Sequence, residues 1–66
     1  MIELHWKGKA YYYNPHLIAA VFPVKEVTWL YLVGVGIELA CDETPEQVAD
    51  IIYEFNFRER ELMRRG

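Results

Sequence analysis

The sequence predicts an α+β fold: a small antiparallel five-stranded meander sheet followed by one C-terminal helix. Three observations predict it. Across residues 1–42, apolar and polar side chains alternate with the two-residue period of half-buried strands. The connections between those runs are short and marked by Gly, Pro or charged residues, too short for the crossovers that parallel strands need. From Thr44 onward the period becomes that of a helix.

Ile2, Leu4 and Trp6 share one face of the first strand, and Glu3, His5 and Lys7 the other. Lys7-Gly8-Lys9 closes a short hairpin, with Gly8 supplying the dihedral that a tight turn requires. The second strand, Ala10 to Tyr13, is rich in Tyr and ends at the Asn14-Pro15 turn. Leu17 to Phe22 is apolar on both faces, the pattern of a strand covered on two sides. Pro23 either ends that strand or leaves it on a sheet edge. After the polar Lys25-Glu26 connection, Val27, Trp29, Tyr31 and Val33 alternate with Thr28, Leu30 and Leu32. Gly34-Val35-Gly36 makes the second Gly turn. Ile37, Leu39 and Cys41 then alternate with Glu38, Ala40 and Asp42, which points Cys41 inward.

Thr44-Pro45-Glu46-Gln47 is a helix start: Thr44 accepts a backbone N–H, Pro45 suits the first helical position, and Gln47 completes a capping box. Glu43 and Glu46 complement the positive end of the helix dipole. Val48, Ile51, Ile52 and Phe55 form one apolar stripe, with Asp50 and Glu54 opposite. Residues 44–57 are therefore the helix. Residues 58–66 form a charged tail that either continues it, with Glu54–Arg58 and Glu61–Arg65 as supporting pairs, or frays.

Sixty-six residues make a single domain. A folded chain of this mass exposes about 4,400 Å² and its unfolded form about 11,300 Å². Apolar burial then contributes about 100 kcal/mol, and ordering the chain costs about the same. The balance is near zero, so self-association or a partner surface is expected to supply the difference. The single cysteine, Cys41, excludes an internal disulfide, and with His5 and His16 it does not make a zinc site. No cofactor is expected. The apolar runs fall short of a membrane span and no signal peptide is expected, since Glu3, His5 and Lys7 lie where an apolar segment belongs. With the lone free thiol this leads to a cytoplasmic expectation.

Seven basic and ten acidic side chains give a net charge of −3, which removes any general attraction for phosphate backbones. The charge is segregated. Glu38 to Glu54 holds six acids and no Lys or Arg, whereas Arg58 to Arg65 holds four Arg and two Glu. An acidic middle and a basic tip are suited to head-to-tail pairing between copies, or are simply two solvated faces.

Met1-Ile2, Gly8, Asn14-Pro15, Leu17-Ile18, Thr28 to Leu32, Gly36 and Glu43-Thr44-Pro45-Glu46-Gln47-Val48 follow one another in an order that resembles the small FlbD-like proteins. These are called SwrD in some bacteria and are linked to flagella and swarming motility. The resemblance spans residues 1–55. The chain departs from the pattern in its longer Gly-Val-Gly turn, in Lys25-Glu26 and in its Arg-rich tail. The resemblance implies no enzyme activity and no cofactor, and it hints at a motility accessory role. The same layout also looks like that of small phage-encoded proteins.

Three kinds of site are weighed. Cys41 with His5 or His16 has the residue types of a nucleophile and base, but an inward thiol on a strand is ordinarily inert, so no catalytic residue is expected. Tyr and Trp on a sheet face and Arg in the tail are the residue types of interface anchors. The expected protein interface is therefore Tyr11, Tyr13, Trp29 and Tyr31 on the sheet, with Arg58, Arg60, Leu62 and Met63, continued by Arg64 and Arg65, in the tail. Lys7, Lys9, Tyr12 and His16 beside the Tyr run resemble a stacking platform with basic flanks for single-stranded nucleic acid. The expectation is a non-enzymatic, self-associating interaction protein. A phage-encoded accessory or structural protein is the alternative, and a single-strand binder the third.

Overall fold

The computed structural model describes residues 1–65; Gly66 lies outside them, as do the side chains of Arg64 and Arg65. The elements are β1 (Ile2–Trp6), β2 (Lys9–Tyr13), a 3-10 turn at Pro15–Leu17, β3 (Ile18–Val24), β4 (Val27–Leu32), β5 (Glu38–Cys41) and α1 (Pro45–Arg65). The class is α+β with one C-terminal helix. All strand pairs are antiparallel, but the strands form two sheets and not a single five-stranded meander: β1–β2, and β3–β4–β5.

The break falls at the Asn14–Leu17 turn. Asn14 Oδ1 accepts the His16 N–H at 3.0 Å and the Leu17 N–H donates to Asn14 O, which coils the chain into a 3-10 turn. Pro15, buried, has no N–H to continue a ladder. The Leu17 carbonyl is instead taken by the Val33 N–H at 2.7 Å, beyond the end of β4. No ladder joins β2 to β3. The hairpin meets the other sheet through β1 and β5, where the Asp42 N–H donates to His5 O at 2.6 Å.

Both two-residue hairpins have positive φ at each loop position, the mirror-image turn that matches strand twist. Lys7 and Gly8 (φ 51° and 79°) join Trp6 to its partner Lys9. Lys25 and Glu26 (φ 49° and 67°) join Val24 to Val27 with no Gly at all. β3 is an edge strand, and most of its residues are exposed or half-buried, so the expected two-sided cover is not there. Its apolar run reflects residues such as Ala19 and Ala20 that stay at the surface. On β4 the side bearing Thr28 and Leu30 is the core side and both are buried, while Trp29 and Tyr31 face outward.

The core is Ile2 and Leu4 from β1, Leu30 from β4, Cys41 from β5 and Val48 from α1. Ile51, Ile52 and Phe55 pack around it, so the expected helix stripe lies against both sheets. The capping box forms in both directions: the Gln47 N–H donates to Thr44 Oγ1 at 3.1 Å, and the Thr44 N–H to Gln47 Oε1 at 2.9 Å. The helix does not stop near residue 57 but runs through the Arg-rich segment to Arg65. Among the described residues every ion pair involves a histidine, so the expected Glu54–Arg58 pair is not formed.

Twenty-one helical residues span about 32 Å, and the molecule is 43 Å long by 24 and 19 Å. Its radius of gyration, 12.7 Å, exceeds the about 10.8 Å of a compact chain this size. The last turns of α1 overhang the body. No helix among the described residues is long and apolar enough to cross a membrane.

Candidate functional site

Two places gather chemistry-bearing side chains. The first is the seam between the sheets, where β5 runs into α1. Asp42 and Glu43 there act on β1 and its turn. The Asp42 carboxylate accepts the Lys7 N–H at Oδ1 and the Gly8 N–H at Oδ2, both at 3.1 Å. Glu43 accepts the His5 backbone N–H at 2.8 Å and lies 2.6 Å from His5 Nδ1. His5 Nε2 is 3.2 Å from Glu3 Oε2. The hydrogen bond to Glu43 raises the His5 ring above its ordinary 6.5, with the charges of Glu43, Glu3 and Asp42 acting the same way against desolvation. Burial by itself would push the Glu43 carboxyl up, but the two His5 donors outweigh it and hold Glu43 below its ordinary range.

An open groove of about 590 Å³ lies over this seam, lined by His5, Asp42, Glu43, Gln47 and Asp50. Its histidine already has carboxylate partners on both ring nitrogens. Cys41 does not serve it: the thiol is buried, burial pushes it up, and it donates to the Glu43 carbonyl at 3.6 Å. Among the described residues no three His, Cys, Asp or Glu side chains converge as metal ligands. The chemistry of the seam is that of a joint. By its position Glu43 serves the helix dipole; its bonds to His5 are a long-range role that local pattern does not contain.

The second place is an aromatic cleft of about 360 Å³ between the hairpin and the β4–β5 edge. Trp6, Tyr11 and Tyr13 line one side; Trp29, Glu38, Leu39 and Ala40 line the other. Three of the four expected sheet residues, Tyr11, Tyr13 and Trp29, thus come together. The fourth, Tyr31, is paired with Glu38 on the outer face and is not part of the lining. Trp6 was missed as a site residue, although its alternation with Ile2 and Leu4 placed it on the same face as the Tyr11 and Tyr13 partners of those residues. Burial raises the Tyr13 hydroxyl above its ordinary value.

The basic platform is dispersed. Tyr12 lies on the opposite face of the hairpin from Tyr11 and Tyr13, and its hydroxyl donates to Glu3 Oε1 at 3.0 Å. Lys7 Nζ sits 5.6 Å from the centre of the Trp6 ring, and Lys9 follows the turn. His16 is past the far end of β2, edge-on to Phe55 and 3.4 Å from Glu59. Among the tail residues, Arg58 and Arg60 are exposed on α1, and Leu62 and Met63 are 71% and 82% exposed.

Comparison of the chain with known proteins finds no matching family model, no similar curated protein and no similar solved structure.

Proposed function

We propose that this chain is a non-enzymatic interaction protein that self-associates through the overhanging end of α1. The observation that carries the reading is the course of the helix stripe. Val48, Ile52 and Phe55 face the sheets, and Leu62, two turns beyond Phe55, continues the same face where no sheet lies beneath it. Leu62 and Met63 are an apolar surface without cover, flanked by Arg58 and Arg60.

Area supports a second copy as the cover. The molecule exposes 5213 Å², about 800 Å² beyond the about 4,400 Å² of a compact chain of its mass. One side of a standard protein interface buries about 800 Å². The resemblance of residues 1–55 to FlbD-like proteins makes a motility accessory role the process we favour.

Light scattering after size exclusion, across a dilution series, tests the reading. The expected result is a stable multiple of 7.8 kDa, and Leu62→Glu with Met63→Glu returns the protein to a folded monomer. A wild-type chain that stays monomeric at every concentration overturns it.

A further inference from the structure

The aromatic cleft is independent of the helix overhang and has a chemistry of its own. It collects both tryptophans of the protein, Trp6 and Trp29, with Tyr11 and Tyr13. The aromatic contact among the described residues, His16 on Phe55, lies elsewhere, so the four rings stand around open volume and do not stack on each other. A core assembled for stability alone closes such rings together. Tyr11 is 43% exposed, so the mouth of the cleft reaches solvent.

Glu38 is the one charged side chain of the lining. π faces and a carboxylate share a preference: both attract a cation, and rings tolerate one that cannot donate hydrogen bonds. No lysine or arginine among the described residues lines the space. Lys9, paired with Trp6 across the hairpin, is not among the lining residues. Lys7, also outside the lining, lies 5.6 Å from the Trp6 centroid. Its position shows that Trp6 offers a face to positive charge in this fold. The volume, about 360 Å³, sits at the small end of the range for small-ligand sites, about 300–1,000 Å³.

We propose that the cleft formed by Trp6, Tyr11, Tyr13, Trp29 and Glu38 binds a trimethylammonium group carried by a small soluble molecule. The methyl surface of such a group meets the rings, and its charge is shared between their faces and the Glu38 carboxylate. An ordinary apolar ligand lacks the charge, and a primary ammonium lacks the methyl surface and loses its hydration on entering. The site does not rest on self-association, because none of its residues belongs to α1.

Because both tryptophans line the site, intrinsic fluorescence reads it directly. Wild-type protein is titrated with choline chloride, with 3,3-dimethylbutan-1-ol (its uncharged isostere), and with sodium chloride at matched ionic strength. Choline is expected to give a saturable change, and the isostere to bind about tenfold more weakly. Glu38→Gln is expected to weaken choline several-fold without altering the far-ultraviolet circular dichroism. Equal titration by choline and the alcohol, or no saturable change with either, overturns the proposal without touching the self-association reading, which is judged by mass. A trimethyllysine peptide that binds more tightly than choline overturns the small-molecule assignment and moves the same chemistry to a protein ligand.

Discussion

Glu43 takes two hydrogen bonds from His5: the backbone N–H donates to Oε1 at 2.8 Å, and Nδ1 lies 2.6 Å from Oε2. A carboxylate held below its ordinary range can only accept, so the proton resides on Nδ1. With Nε2 directed at Glu3, the ring bridges two carboxylates of opposite ends of the chain's sheet region. This contact and the Asp42–turn bonds do the work that a β1–β5 ladder would otherwise do.

The contribution of the His5–Glu43 pair to stability is bounded on both sides in pH. The His5 value is raised, so its share is complete below the ordinary 6.5 and is lost as pH climbs through the higher folded value. The Glu43 value is lowered, so its share is present above the ordinary 4.5 and is lost as pH falls through the lower folded value. The difference in unfolding temperature between wild type and His5→Gln is therefore expected to be greatest at about pH 5–6 and to shrink toward about pH 3 and pH 9. A difference that stays constant across that range contradicts the bridge.

Asp42→Ala removes the acceptor of two consecutive turn amides. It is expected to cost about 1–2 kcal/mol and to speed hydrogen exchange at Lys7 and Gly8 more than elsewhere in β1 and β2. Unchanged exchange at those two amides, read by NMR, would show that the carboxylate is not their partner in solution.

The Lys25-Glu26 loop holds two ordinary residues at positive φ. That conformation costs a residue with a Cβ about 1–2 kcal/mol. Lys25→Asn with Glu26→Gly installs the preferred pair for this turn and is expected to stabilise the fold by about 1 kcal/mol or more. The check is a higher urea midpoint at unchanged slope; a lower midpoint is incompatible with the observed turn.

Local features were legible in the sequence because their causes are local. Thr44 and Gln47 predict a capping box, and it forms with both bonds. Val48, Ile51, Ile52 and Phe55 predict the packed stripe, and Gly8 the first hairpin. What the sequence does not carry is which strand edges meet. The meander expectation rests on adjacency in the chain, and it fails at Asn14–Leu17 because a capped 3-10 turn sends β3 away from β2. The β1–β5 joint depends on Asp42 and Glu43 reaching residues more than thirty positions away, and nothing in their local pattern distinguishes them from solvated acids. Trp6 was visible as an apolar strand residue; its place opposite Trp29 depends on that same joint.

β3 has one free edge, and the chain has disarmed it. The register shifts between Ile18 and Ala20, and Pro23 faces Thr28 at the position next to the hairpin's closing pair, where the N–H of an ordinary residue would point away from β4. An incoming strand thus meets a kink at one end of β3 and a missing donor at the other. Growth by strand addition, which has no natural stopping point, is blocked there. The two-fold helix contact proposed above is consumed once it is made, so assembly through it, with this edge closed, stops at a finite size.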